Sequence, residues 1–345
     1  MTQSKKILFI CGSLNQTQQM CAIANELGEY EQRFTPFYGT GLAHVGILVG
    51  VAESTIGGAK RSAWCFEHLR SNNLTIDYRG QGGPYDLVVT CSDAILPRNI
   101  WGSRVVLVQE GAVDPDTWEY EVVRRVSALP RWLAGTSMTG LSHRYDRFCV
   151  ASDGFREFFA ERGAERDRLH VTGIPKFDNC KQYHDNDFPY RDYVLVCTSD
   201  LRELVRHDDR PAFIKRALRI AAGRQLIFKL HPNEIVERAT REIKALAPSA
   251  LVFASGRAEQ MVANAKVVIT QWSSLVYIAI ALGKEVYTNF DIDLARRLSP
   301  VQNGGTSARA IAEICKALVE DSAPTPRLQR GLPKAHPLSF LRADL

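Results

Sequence analysis

The stretch LIFKLHPNE, residues 226–234, indicates the fold more directly than any other part of the chain. It opens with an apolar run, residues 226–230, that is typical of a strand buried on both faces. Pro232 cannot continue a central strand, so the chain turns there, and a helical pattern follows from Glu234 to about Ala247. A buried strand that leads into a helix is the repeating unit of a parallel α/β sheet.

A second stretch, VVITQWSSL at residues 267–275, repeats this pattern. Its strand, residues 267–270, leads into an apolar helix over residues 275–282. A further strand is predicted over residues 285–287, and Asp291 with Asp293 is typical of the start of another helix.

Polar residues follow both strands at the edge of the sheet where open α/β proteins bind ligands. Ser273 and Ser274 precede a helix, where hydroxyls and unbonded backbone N–H groups favour phosphate. His231, beside the turn at Pro232, could donate a second hydrogen bond to the same anion. In the alternative interpretation Ser273 only caps the helix and His231 is an ordinary loop histidine.

The rest of the chain shows the same alternation, which predicts two Rossmann-like, doubly wound parallel-sheet domains. We place an N-terminal domain at 1–178, a linker within 176–191, a C-terminal domain at 190–320 and a tail at 321–345. The remaining strands are predicted at 6–11, 34–38, 85–91, 104–108, 148–152, 169–173 and 194–199, and the remaining helices at 18–27, 59–72, 153–162 and 209–222, with a long glycine-rich loop at 39–58.

Composition narrows the class of protein. The chain has 345 residues, is 45% hydrophobic and 23% charged, and carries a formal net charge of +5. This mild basicity suits anionic ligands or an acidic membrane surface, and the chain lacks the Lys/Arg block of a nucleic-acid tract. Because residues 1–4 lead directly into a strand and the apolar stretch 42–56 is short and glycine-rich, we expect a cytoplasmic protein, with the inner face of the membrane as the alternative.

The eight cysteines show no metal-ligand spacing, so the sequence predicts no zinc site. Cys11, Cys91, Cys149 and Cys197 fall in or next to apolar runs and are predicted to be small buried side chains in a reducing compartment.

Several polar residues follow the strands of the first domain. Residues 12–17 form the loop after the first strand, and Gly12 there lets a ligand approach the backbone. In the alternative interpretation this is only a tight turn into the helix, with Asn15 or Thr17 as its cap. Asp93 follows the strand 85–91. We expect five residues on the acceptor side of a ligand site: Gly12, Ser13, Asn15, Asp93 and Asp114.

The strand 104–108 ends in Gln109-Glu110-Gly111, and Asp114 lies just beyond. Glu110 is the candidate general base, with Asp93 and Asp114 as reserves. In the alternative interpretation, Glu110 is an ordinary loop carboxylate and Asp114 is a turn residue before Pro115.

Three segments resemble known families of nucleotide-sugar proteins. VTGIPKFD (171–178) resembles the VTGNPxxD segment of non-hydrolysing UDP-N-acetylglucosamine 2-epimerases. KLHP (229–232) resembles the HP motif of bacterial sialyltransferases, Kdo transferases and CDP-glycerol glycerophosphotransferases. TQWSS (270–274) with ALGKEV (281–286) resembles their (T/S)xxSS…ALxGKPV segment.

The resemblance implies a GT-B fold, with two Rossmann-like domains facing a cleft, and a metal-independent inverting glycosyltransferase in cell-surface glycan or exopolysaccharide synthesis. It implies no cofactor, a UDP-, CDP- or CMP-linked sugar donor and a glycan or lipid-linked acceptor, and it allows for membrane contact and a homodimer. The implied roles are catalysis by Glu110 and His231, donor-phosphate binding by Ser273, Ser274 and Lys229, and nucleotide binding by Pro232, Glu234 and Gly173.

Departures from these families leave alternatives open. The epimerases' glycine-rich phosphate segment, glutamate pair and first-strand Arg-Pro-Glu loop are missing. The phosphotransferases' Trp-His-Gly is Gln109-Glu110-Gly111 here, which keeps one acid and the glycine of the sialyltransferases' acidic-acidic-Gly motif. The alternatives are therefore an epimerase-like isomerase, a CDP-glycerol-type phosphotransferase and a non-catalytic nucleotide-sugar binder.

Overall fold

The computed structural model describes residues 4–40, 58–111, 113, 118–126, 129, 131–203 and 206–321. They form two compact units. The first holds the described residues up to Val150, then Phe155–Val171 and those from Arg309 on, and the second holds Ala151–Gly154 and Thr172–Ala308. The division after residue 308 differs from the expected domain at 190–320. Residues 41–57 of the predicted loop, and the tail beyond residue 321, lie outside the described residues.

The first unit is built on a six-stranded sheet with the order β2-β1-β3-β4-β5-β6, in which all neighbouring strands are parallel. Its strands are β1 (Lys6–Cys11), β2 (Glu31–Pro36), β3 (Leu87–Thr90), β4 (Arg104–Val108), β5 (Arg147–Val150) and β6 (Leu169–Val171).

The second unit is built on a five-stranded parallel sheet with the order β11-β10-β7-β8-β9. Its strands are β7 (Val194–Cys197), β8 (Leu226–Lys229), β9 (Leu251–Phe253), β10 (Val267–Thr270) and β11 (Glu285–Tyr287).

Ten α-helices accompany these strands in the described part of the chain: α1 (Leu14–Asn25), α2 (Ala59–Ser71), α3 (Trp118–Arg125), α4 (Asp153–Glu161), α5 (Arg210–Ala221), α6 (Val236–Leu246), α7 (Ala258–Asn264), α8 (Leu275–Ala281), α9 (Ile292–Arg297) and α10 (Ser307–Glu320). None of the described helices is long and apolar enough to cross a membrane.

The central strands are apolar because helices cover both faces of a parallel sheet. Every residue of β3, β4, β7, β8 and β10 is buried. Buried Cys11, Cys91, Cys149 and Cys197 confirm the prediction for these side chains. The predicted α/β class with two parallel-sheet domains is confirmed.

The order of the strands indicates where each sheet is expected to bind a ligand. The chain direction of the crossovers reverses between β1 and β3 in the first unit, and between β7 and β10 in the second. Such switch points leave a crevice outside the carboxyl ends of the two strands. Polar side chains that follow these strands, and their neighbours β4 and β8, are therefore the first to consider.

Candidate functional site

Glu110 follows β4 at the carboxyl edge of the first sheet and is held by two side chains of the β1–α1 turn. Its carboxylate accepts a hydrogen bond from the Ser13 hydroxyl at 2.9 Å and another from the Gln16 side-chain amide at 2.6 Å. Glu110 and Ser13 are half-buried and Gln16 is buried. Two donors fix the carboxylate while part of its surface stays open to solvent.

The start of α1 explains why these donors are in place. Ser13 is the N-cap: its hydroxyl accepts the backbone N–H of Gln16 at 3.3 Å, and the Gln16 side chain accepts the backbone N–H of Ser13 at 3.3 Å. This reciprocal pair is a capping box. The predicted caps, Asn15 and Thr17, were wrong because the helix begins earlier, at Leu14: Asn15 is exposed and the Thr17 hydroxyl donates to the Ser13 carbonyl at 2.9 Å.

Buried amides fix the turn that carries Glu110. The Gln19 side chain donates to the backbone carbonyl of Gln109 at 2.9 Å, and the Gln109 side chain donates to the carbonyl of Gly111 at 2.8 Å. Both glutamines are almost fully buried. The backbone on either side of Glu110, the candidate general base, is therefore held by hydrogen bonds.

Asp93, after β3, lies in different surroundings. It is buried, and its two oxygens accept the backbone N–H groups of Gly140 at 3.1 Å and Ser142 at 3.0 Å. Burial raises the pKa of this carboxyl group, and the hydrogen bonds oppose the rise. Asp93 is thus occupied in holding a loop. Asp114, the other reserve base, lies outside the described residues, and Gly12 is buried at the end of β1.

In the second unit, the residue predicted to bind nucleotide, Glu234, is part of a buried ionic network. One carboxylate oxygen accepts from the Arg210 guanidinium at 2.7 Å, and the other accepts the backbone N–H of His231 at 2.8 Å and the Thr198 hydroxyl. The Glu234 and Arg210 side chains are 0% and 1% exposed. Both oxygens are engaged within the protein, so Glu234 orders the turn after β8.

Arg210 extends this network to β10. Its Nε donates to Asp208 at 2.9 Å, and the other Asp208 oxygen accepts the Gln271 side-chain amide at 3.0 Å. The helix start positions Arg210, since the Asp209 side chain accepts the backbone N–H of Ala212 at 3.0 Å. Polar groups that follow β7, β8 and β10 are joined in this way around the switch point.

His231 lies at the surface of the network, with 37% of its side chain exposed. Its Nδ1 accepts the backbone N–H of Asn233 at 3.3 Å and lies 3.5 Å from a carboxylate oxygen of Asp200. The two contacts make opposite demands on Nδ1: the one with Asn233 forms when this nitrogen is unprotonated, and the one with Asp200 forms when it carries a proton.

The Lys229 side chain at the end of β8 is directed toward β9. Its buried ammonium donates to the backbone carbonyls of Leu230 at 2.9 Å and Ala254 at 3.3 Å. Burial lowers the pKa of this lysine. Ala254 follows β9 and the serines follow β10, and β7 and β8 lie between these two strands in the sheet. The Lys229 ammonium is therefore directed away from Ser273 and Ser274 along the carboxyl edge.

Ser273 and Ser274 lie at the start of α8, as predicted. The Ser273 hydroxyl accepts the backbone N–H of Leu275 at 3.3 Å, and Ser274 occupies the N-cap position without a side-chain cap bond. Both are half-buried. Trp272 beside them is 40% exposed and contacts the ring of Phe290 edge-on.

The two other residues predicted to bind nucleotide, Pro232 and Gly173, lie in a turn and at a close packing contact. Pro232 is exposed in the turn after β8. Gly173 has φ +73°, and a Cβ built there would lie 2.3 Å from the Ser307 hydroxyl and 2.9 Å from Val301. The close approach of α10 and its preceding loop requires a glycine at this position.

Sequence reasoning did not identify Gln16, Thr198, Arg210 or Gln271 as parts of these sites. Thr198 and Gln271 directly follow β7 and β10, and this position at the end of a strand could have marked them as site residues. Nothing in the sequence distinguishes Arg210 from the other arginines of α5. Among the residues that the structure describes, no group of three or more His, Cys, Asp or Glu side chains could hold a metal ion.

Comparisons with known proteins place the fold. No protein-family model matches the chain, and no curated protein matches it in sequence. The solved structures include similar chains. UDP-GlcNAc 2-epimerase from Neisseria meningitidis, bound to UDP-GlcNAc, is 11% identical, with 90% of this chain and 100% of that chain covered and a TM-score of 0.56.

The Methanocaldococcus jannaschii UDP-GlcNAc 2-epimerase, in complex with UDP-GlcNAc and UDP, is 13% identical over 90% of this chain and 99% of that chain, with a TM-score of 0.54. A variant of the wall teichoic acid polymerase TagF is 11% identical over 92% of this chain and 89% of that chain, with a TM-score of 0.53. Identities this low establish the fold alone. The fold is of the GT-B type that the sequence resemblance implied, and it is shared with nucleotide-sugar enzymes.

Proposed function

We propose that the protein is a metal-independent inverting glycosyltransferase that uses a nucleotide-sugar donor in cell-surface glycan or exopolysaccharide synthesis. The observation that carries the proposal is the Glu110 carboxylate, held at the carboxyl edge of the first sheet by Ser13 and Gln16. A fold shared with proteins that bind UDP-GlcNAc supports the choice of a nucleotide-sugar substrate.

Glu110 acts as the general base in this proposal. An acceptor hydroxyl must lose its proton as it attacks the anomeric carbon of the donor, and a carboxylate within hydrogen-bond reach takes that proton. The hydrogen bonds from Ser13 and Gln16 hold Glu110 in one orientation. Half-burial leaves the carboxylate accessible to a hydroxyl group.

His231, Ser273 and Ser274 serve the leaving phosphate. Negative charge grows on that group as the glycosidic bond breaks, and donors placed beforehand stabilise it. In this proposal the half-buried His231 ring donates a hydrogen bond to the phosphate. Glu234 and Arg210 keep the His231 backbone in place.

A donor panel tests this proposal. Purified protein is incubated with UDP-GlcNAc, CDP-glycerol or CMP-N-acetylneuraminic acid, with and without a panel of glycan and lipid-linked acceptors, and ³¹P NMR follows the free nucleotide. We expect acceptor-dependent release from a sugar donor, undiminished by EDTA. We expect Glu110→Gln to lower the rate about a hundredfold to ten-thousandfold, and Glu67→Gln, at an exposed position of α2, to leave it unchanged.

Other outcomes separate the alternatives. A new sugar formed from UDP-GlcNAc without acceptor identifies an epimerase, and transfer from CDP-glycerol alone identifies a phosphotransferase. Nucleotide binding without turnover, with Glu110→Gln silent, identifies a binding protein. Each of these results contradicts the proposed transferase.

We further propose a cytoplasmic site of action at the inner face of the membrane, where a lipid-linked acceptor would be met. The chain's net charge of +5 supports attraction to an acidic surface. Fractionation of producing cells, with release of the protein from membranes by high salt, checks this placement.

A further inference from the structure

Asp200 and His231 form a pair at the carboxyl edge of the second sheet. Asp200 lies three residues after β7 and His231 two residues after β8, and these strands are neighbours in the sheet. A carboxylate oxygen of Asp200 lies 3.5 Å from Nδ1 of His231. The Asp200 side chain is 14% exposed, so the pair combines a carboxylate that is mostly withdrawn from water with a ring that a ligand can reach.

Asn233 holds the two members of this pair together. Its side-chain amide donates to the same oxygen of Asp200 at 2.7 Å, and its backbone N–H donates to Nδ1 of His231 at 3.3 Å. The three residues therefore form a closed triangle of polar contacts. Because the amide bond to Asp200 does not involve the ring, the carboxylate stays beside His231 whether or not the ring is protonated.

The triangle gives the His231 ring a partner in each of its protonation states. In the ring with an unprotonated Nδ1, this nitrogen accepts the backbone N–H of Asn233. In the protonated ring, Nδ1 carries a hydrogen and the oxygen of Asp200 is the acceptor within reach. A carboxylate this close to an imidazole favours the charged form of the ring. The arrangement thus favours a histidine cation at this edge of the sheet.

Other carboxylates around this turn have guanidinium partners of their own. These ion pairs join Asp208 and Glu234 to Arg210, and Glu203 to Arg238. Glu234 also accepts the backbone N–H of His231, and its side chain is 0% exposed. Asp200, by contrast, contacts the Asn233 amide and the imidazole ring. The charge of Asp200 is therefore directed at His231.

We propose that Asp200 is a positioning residue that pairs with the protonated His231 ring and keeps it a cation for the phosphate of the nucleotide sugar. The inference rests on the proposed function, in which His231 donates a hydrogen bond to that phosphate. A hydrogen bond from a charged group is roughly twice as strong as one between neutral groups, so the cation stabilises the leaving phosphate better. Binding of the nucleotide sugar then takes up a proton, and the affinity rises as the pH falls through the titration of the ring.

Two measurements on the full chain test the inference. Isothermal titration gives the affinity for UDP-GlcNAc, CDP-glycerol and CMP-N-acetylneuraminic acid at a series of pH values from about 6 to about 9. These ligands are phosphodiesters and lack the terminal phosphate group that would itself titrate near pH ~6. NMR of the ring C–H groups of the eight histidines follows protonation without any ligand, and the His231 signal is identified by its loss in His231→Gln.

Asp200→Asn is the decisive variant, because it removes the charge and keeps an oxygen that can accept the Asn233 amide. We expect the titration midpoint of His231 to fall by about 0.5–1 pH unit in this variant. Affinity near pH ~7 should then fall about threefold to tenfold, and the difference from the wild type should shrink toward pH ~6. Asp187→Asn, at an exposed position of the second unit, should behave as the wild type in both measurements.

Three results would overturn the inference: an unchanged titration of His231 in Asp200→Asn, a wild-type affinity that does not depend on pH, or a loss of affinity in Asp200→Asn that is equal at every pH. The last result would mean that Asp200 only supports the turn. Each of them leaves the proposed function standing as long as a nucleotide sugar binds. No binding of any of the three ligands contradicts the proposed function, and the NMR titration then decides by itself whether Asp200 pairs with the ring.

Discussion

At the residue scale, Glu110 owes its role to its hydrogen-bond partners. Many loop carboxylates follow a strand, but this one accepts from Ser13 and Gln16 at the start of α1. The sequence predicted the carboxylate from its place after a strand. It could not predict the orientation, because Gln16 is distant in sequence and meets Glu110 only when β1 and β4 lie in one sheet.

Ser13→Ala should therefore affect both stability and turnover. Loss of an N-cap hydroxyl costs about 1 kcal/mol, and Glu110 loses one of its two donors. We expect urea unfolding to show the stability loss, and steady-state kinetics to show a lower kcat with an unchanged KM for the donor. Ser71→Ala, at the end of α2, is the control. Full activity of Ser13→Ala would contradict the orienting role.

His170 on β6 gives a prediction for pH. Burial lowers the pKa of His170, and Arg147 lowers it further; its Nε2 is buried without a hydrogen-bond partner among the described residues. With a folded pKa below the unfolded one, the chain takes up a proton on unfolding. This contribution to stability is thus complete above the ordinary histidine pKa and is lost as the pH falls through the folded pKa.

We expect His170→Phe to lose less stability than the wild type between about pH 7 and about pH 5. Urea unfolding at a series of pH values measures the slope. His207→Phe, at an exposed position, should keep the wild-type slope. Equal slopes for His170→Phe and the wild type would show that the ring does not titrate on unfolding.

At the element scale, ten of the eleven strands in the described part of the chain could be predicted, including short ones. The predicted bounds of β4, β10 and β11 agree with the structure, because the apolar runs of β4 and β10 and the glycine before β11 set clear limits. The helix predicted to start at Asp291 is confirmed as α9, where the Asp291 side chain accepts backbone N–H groups. Strand β9, with three residues that are all half-buried, was not predicted.

The ionic network beside α5 predicts a large effect of one substitution. Arg210→Leu leaves Glu234 buried without its ionic partner and leaves Asp208 with only the more distant Arg202, at 3.4 Å, which costs about 3–5 kcal/mol. Arg219→Leu, on the exposed face of α5, should change stability by about 0.5 kcal/mol or less. Denaturant unfolding of both variants checks the difference. Similar stabilities would show that the network contributes little to the folded state.

Gly173, after β6, predicts a steric effect. An alanine there would be strained at φ +73° and would meet Ser307, which costs about 1–3 kcal/mol. At Gly28, a Cβ meets nothing within 4 Å, so Gly28→Ala is the control. Thermal unfolding compares the two. A neutral Gly173→Ala would mean that the loop before α10 adjusts easily.

At the scale of the whole molecule, the α/β class and the two-domain GT-B architecture could be predicted from alternation and motifs, and the similarity to solved structures confirms them. The residues that complete each site could not be predicted. Arg210 joins Glu234 to Asp208, and Gln271 joins Asp208 to β10, only because strand order makes these strand ends neighbours.

Donor binding should therefore leave a definite pattern on the chain. We expect a bound nucleotide to slow amide hydrogen exchange after β7, β8 and β10 in the second unit, where its switch point lies. Exchange measured by mass spectrometry with and without UDP, CDP or CMP locates the effect. Protection restricted to the first unit would contradict the assignment of donor binding to the second.

The central claim is that the carboxyl edge of the second sheet binds a nucleotide through His231. Thermal unfolding with UDP, CDP and CMP tests it most directly. The account predicts that at least one nucleotide raises the melting temperature. At a free nucleotide concentration of a hundred times Kd, binding adds about 2.7 kcal/mol to the free energy of unfolding. The account also predicts that His231→Ala abolishes the rise and that His207→Ala retains it. No rise with any of the three nucleotides, or an undiminished rise in His231→Ala, would contradict the claim.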